Sequence, residues 1–99
     1  MIVYFEGVES ARKLVKSLEG KMTQMQLQKI TDESIRVGSE AVPFLIEAFN
    51  SKTPQARGRA SSILVEIGRD AVPALKTTSR IGNDKEAYWA KLTLEKIEK

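Results

Sequence analysis

The side chains that ordinarily perform acid-base, nucleophilic or metal chemistry are scarce here, because the 99 residues include no Cys and no His. The commonest general base, the commonest metal ligand and the thiolate nucleophile are therefore all missing. Carboxylates do occur in pairs, Asp32 beside Glu33 and Glu95 three residues before Glu98. Each pair has Lys or Arg within a helical turn, the pattern of exposed ion pairs rather than of a general acid and base. No Gly-rich phosphate loop occurs: Gly58 stands alone inside a helical pattern and Gly82 reads as a helix terminator. These readings point away from an enzyme, and no catalytic, cofactor-binding or metal-binding residue is assigned.

Two other constellations fit binding. The first is basic: Lys52, Arg57, Arg59, Arg69, Lys76 and Arg80 face only Glu66 and Asp70 in the same stretch. The net charge of +3 belongs to the second half, where residues 51–99 carry ten Lys/Arg against six Asp/Glu, while residues 1–50 carry six against seven. Such a stretch suits phosphates or an acidic peptide, and phosphate contacts give affinity without reading sequence. No aromatic residue interleaves with it, so a platform for stacking single-stranded bases is missing. The second constellation is apolar: Tyr88, Trp89 and Leu92 cluster at helical spacing, and Trp and Tyr are the residues that carry binding energy at interfaces. The same cluster also suits the covered end of a core.

The elements that must position these residues repeat at an interval of thirty. Ile35-Arg-Val-Gly-Ser-Glu-Ala-Val-Pro-Phe-Leu45 returns as Val65-Glu-Ile-Gly-Arg-Asp-Ala-Val-Pro-Ala-Leu75, with five of the eleven positions identical. Thr23, Thr53 and Asn83 fall in register as N-caps. Gln26 and Glu86 complete capping boxes at the first and third, and Pro54 opens the helix at the second. Met22 and Leu27 suit a hydrophobic staple. Ser10, Glu40 and Asp70 mark the starts of the other helix of each unit, with Pro43 and Pro73 in its first turn. Gly38 and Gly68 fall where a left-handed residue ends a helix.

The expected unit is a helix of about nine residues, a short loop and a helix of about fourteen, repeated three times to give six helices and no sheet. Apolar stripes agree with it: Ala56, Ala60, Ile63, Leu64 and Ile67 in one helix, and Ala87, Ala90, Leu94 and Ile97 thirty residues later. Val42, Leu45, Ile46, Ala48 and Phe49 leave little polar surface on the short middle helix. Its counterpart turns polar over Lys76–Arg80, as the last unit of a stack must. One domain over residues 1–99 is expected, with repeats at about 10–38, 40–68 and 70–98. Residues 1–9 form a cover or tail, and a cover over the first repeat is favoured.

Gly38-x-x-Ala41-Val-Pro-x-Leu45, followed by Thr53-Pro-x-x-Arg57-x-x-Ala60-x-x-x-Leu64-x-x-Ile67-Gly68, resembles the HEAT-like repeat of the phycobilisome lyase type. Residues 38–97 follow the pattern well and residues 10–37 loosely. The resemblance implies an all-α, α-α superhelix (solenoid) of helical hairpins, with residues 54–67 and 84–97 on its concave face. Only Arg57 matches the family's Arg after the loop, since Leu27 and Ala87 replace it in the flanking repeats. The His-Glu iron site of the deoxyhypusine hydroxylase branch is excluded by the lack of His.

The expected function is that of a non-enzymatic protein-interaction or scaffold module, self-associating as a homodimer or binding a protein partner through Tyr88, Trp89, Leu92, Arg57, Arg59 and Arg69. The alternatives are a sequence-independent nucleic-acid-binding module using the basic residues 52–80, and an accessory subunit of a modifying or lyase-type enzyme. Met1–Glu6 lack a basic flank and a long apolar run, so no signal peptide, membrane partner or membrane helix is expected, and a cytoplasmic location is.

Overall fold

The computed structural model describes the backbone of residues 7–98 and the side chains of residues 13–98. Among them are six α-helices and no strand: α1 (Gly7–Glu19), α2 (Gln24–Val37), α3 (Val42–Glu47), α4 (Pro54–Ile67), α5 (Val72–Ile81) and α6 (Asp84–Ile97). The chain is all-α. Short 3-10 turns at Gly38–Ala41 and Gly68–Ala71 lead into α3 and α5, and a third, Ala48–Asn50, ends α3.

The thirty-residue punctuation acts locally as its chemistry dictates. Thr23 and Asn83 cap α2 and α6, each completing a box with Gln26 or Glu86. Gly38 and Gly68 adopt φ of 73° and 75° after α2 and α4, and among the described residues only these two have positive φ. Their ψ values of −133° and −128° lie in a region that side chains other than hydrogen rarely enter.

Three expected caps differ. Ser10 lies within α1, which starts at Gly7, so residues 7–9 belong to that helix. Residues 1–6, to which the rest of the expected cover falls, lie outside the described residues. Glu40 and Asp70 are not N-caps, because the chain passes from each glycine through a 3-10 turn straight into α3 or α5, whose N-caps are Ala41 and Ala71. Thr53 does occupy the N-cap of α4 but makes no side-chain cap bond. Its own N–H is held instead by Ser51 Oγ at 3.1 Å.

Packing joins both sequence neighbours and alternate helices: α5 packs most extensively on α6, and α3 packs on α4. α1 packs on α3 and α3 on α5, while α2 packs on α4 and α4 on α6; α1 also reaches α4, and α3 reaches α6. The core is drawn from both sets, with Leu14, Leu18, Leu45, Phe49, Leu64 and Leu75 fully buried. Ala56, Ala60 and Ala90 are buried at the centres of α4 and α6, where a small side chain lets the helices approach. The Cα radius of gyration is 12.1 Å, close to the ~13 Å of a globular domain of about 100 residues.

Candidate interaction surface

The Tyr88, Trp89 and Leu92 cluster divides between core and surface. Trp89 is half-buried against the core, its ring stacked on Phe49 with centroids 6.1 Å apart and an interplanar angle of 27°. Tyr88 is 60% exposed and meets the Trp89 ring edge-on at 6.0 Å. Leu92 is half-buried. The exposed member is therefore Tyr88, held in place by a ring that the core itself holds.

Thirty residues before Trp89 stands Arg59, and the two occupy matching places. Arg59 donates from one guanidinium nitrogen to the Leu18 and Gly20 carbonyls, both at 2.7 Å. It thereby satisfies backbone acceptors that the C-terminus of α1 leaves open. Trp89 likewise reaches back to Phe49, at the end of the α3 segment. Arg59 thus joins α4 to the end of α1, and Trp89 joins α6 to the end of the α3 segment.

The other arginines sit elsewhere. Arg57 donates to the Ser51 carbonyl at 2.7 Å, and its buried Nε has no hydrogen-bond partner among the described residues. Arg69 is exposed in the 3-10 turn before α5, beside a shallow cavity lined by Val72, Pro73, Ile97 and Glu98. The structure thus does not gather Arg57, Arg59 and Arg69 into one charged patch: two of them hold backbone carbonyls, and the third lies at the far end of α4.

Three of the four paired carboxylates have hydrogen-bond or ion-pair partners. Asp32 accepts from Gln28 at 2.8 Å, Glu33 pairs with Arg36 at 3.3 Å, and Glu98 stands 4.0 Å from Lys76. No group of three acidic, His or Cys residues suited to a metal ion occurs among the described residues, and no described helix is long and apolar enough to cross a membrane.

Three long-range contacts between polar side chains have no sequence counterpart, the first being Ser51 Oγ donating to the Glu19 carboxylate. Ser61 and Thr93 are buried hydroxyls 2.7 Å apart. Asn50 donates to Glu86 at 2.8 Å and accepts from Asn83 at 2.7 Å, tying the end of the middle short helix to the capping box of α6. No family model matches this chain, and neither a curated protein nor a solved structure matches it.

Proposed function

We propose that this chain is a small solenoid of three HEAT-like helical hairpins and works as a non-enzymatic protein-interaction module. The register of the packing supports the solenoid reading. The first helices α1, α3 and α5 touch in sequence order, the second helices α2, α4 and α6 do the same, and each early first helix also meets the second helix of the next pair. Stacked units of this kind offer surface rather than a reaction centre.

The observation that carries the interaction reading is Tyr88. A large amphipathic ring, 60% exposed and braced edge-on by Trp89, loses little freedom when a partner covers it. The nucleic-acid reading has less support, because Arg57 and Arg59 already hold backbone carbonyls. The test is a photo-crosslinking residue placed at Tyr88 in the native host, with the same residue at the solvent-facing Lys29 as control. Protein adducts specific to position 88 are expected, and an adduct with a modifying enzyme would identify an accessory subunit. Nucleic-acid adducts alone, or equal adducts at both positions, would overturn the proposal.

A further inference from the structure

The outer side of the α5–α6 pair, turned away from α3 and α4, carries its charges in two separate strips. The directions follow from helix geometry, in which two residues turn the chain by about 200°. On α5, Ala74 and Thr78 face α3, sharing a groove with Pro43 and Ile46. Lys76 is two residues after Ala74, and Arg80 is two after Thr78, so both point the opposite way; both are exposed. On α6, Thr93 faces α4 through Ser61. Glu95 is two residues after Thr93 and Asp84 nine before, so they too point outward, with Glu98 within about 40° of that direction; all three are exposed.

One helix therefore presents Lys76 and Arg80, preceded by Arg69, and its antiparallel neighbour presents Asp84, Glu95 and Glu98. Lys91, a turn before Glu95, and the exposed ring of Tyr88, two turns before it, also fall within the acidic strip. Between the strips, Val72, Pro73 and Ile97 line the shallow cavity at one end. The strips already attract each other within the chain, since Lys76 Nζ lies 4.0 Å from Glu98.

From this we infer that the outer face of α5 and α6 pairs with the same face of a second copy about a two-fold axis parallel to the helices. Such an axis lays α5 of one copy over α6 of the other while preserving height along the axis. The basic strip of each copy then meets the acidic strip of its partner, and the Val72–Pro73–Ile97 cavities close at the same level. A two-fold interface must be self-complementary, and two antiparallel helices of opposite charge meet that requirement, whereas a face of one sign would repel its copy. The inference rests on the interaction-module reading and names its partner as a second copy of this chain.

The test uses two charge-reversed full chains, Arg69→Glu/Arg80→Glu and Asp84→Lys/Glu98→Lys, each checked for helicity by circular dichroism. They reverse level positions at the two ends of the strips, Arg80 beside Asp84 across the α5–α6 loop and Arg69 with Glu98 at the shared cavity. All four positions are exposed, so both variants should fold. Sedimentation velocity at low salt should show the wild type dimerising as concentration rises. Each variant alone should dissociate about tenfold more readily or more, and an equimolar mixture of the two should restore the dimer, because only the mixed pair brings opposite strips together. A wild type that stays monomeric at every concentration overturns the inference, as does association indifferent to both reversals. If the chain stays monomeric while a crosslinking residue at Tyr88 captures a different protein, the pairing is wrong and the interaction-module reading stands.

Discussion

Ser61 on α4 and Thr93 on α6 hold one another hydroxyl to hydroxyl across a buried helix contact, 2.7 Å apart. The direction of the bond follows from the rest of the chain. Thr93 donates its single proton to the Trp89 carbonyl at 2.7 Å, so Ser61 must be the donor to Thr93.

The pair is expected to behave as a unit. Thr93→Val keeps the shape but leaves the Ser61 proton without its acceptor, and should cost about 1 to 3 kcal/mol. Ser61→Ala removes a donor and leaves Thr93 its bond to Trp89, so it should cost about 1 kcal/mol. In the double variant both polar groups are gone, and its loss should fall short of the sum. Urea unfolding of the four proteins measures the difference; strict additivity would mean that the hydroxyls do not interact.

Gly68 and Gly58 should respond to alanine in opposite directions. Gly68 has φ +75° and ψ −128°, so a side chain there is strained, and Gly68→Ala should cost about 1 to 3 kcal/mol despite open space around it. Gly58 is inside α4 with nothing within 4 Å of an added Cβ, so Gly58→Ala should gain about 0.5 to 1 kcal/mol. Thermal unfolding of both variants checks the signs.

Leu64 is fully buried in α4, and Leu64→Ala should cost about 2 to 5 kcal/mol, more where the surrounding Ala-lined contact cannot collapse into the space. Denaturant titration measures it, and a loss within error would mean that the site is not packed.

Arg59→Ala should loosen the end of α1 without disturbing α6. Two carbonyls lose a charged donor, which should cost about 1.5 to 3 kcal/mol. Amide exchange should accelerate at the C-terminal turn of α1, while the α6 amides keep their protection. Uniform acceleration over both helices would show that Arg59 is not a local clamp.

The parts of this fold that were legible in the sequence are those whose causes are local. Thr23 with Gln26 and Asn83 with Glu86 announce helix starts because both partners of each capping bond lie three residues apart. Gly38 and Gly68 are readable because the backbone conformation they allow is nearly theirs alone. Glu40 and Asp70 misled because an acidic residue after glycine suits a 3-10 turn as well as an N-cap, and the choice is made by the bonds of the turn. The Arg59 clamp was hidden because its acceptors lie 39 and 41 residues away. The division of the aromatic cluster was hidden for the same reason: Trp89 and Tyr88 are neighbours in sequence, and Phe49, forty residues before Trp89, separates them into inner and outer ring.

The matching of Arg59 with Trp89 has a thermal consequence. Opening the joint that Arg59 closes exposes a guanidinium and backbone carbonyls to water. Opening the joint that Trp89 closes exposes stacked aromatic carbon. Apolar exposure raises heat capacity and polar exposure lowers it, so the two joints should not keep the same order of strength as temperature changes. The Trp89 joint should weaken on cooling, as apolar contacts do, while the Arg59 joint, a cation held by two carbonyls, should not. Two positions thirty residues apart, one filled by a cation and one by an indole, should thus give the α1–α4 and α3–α6 contacts different melting behaviour.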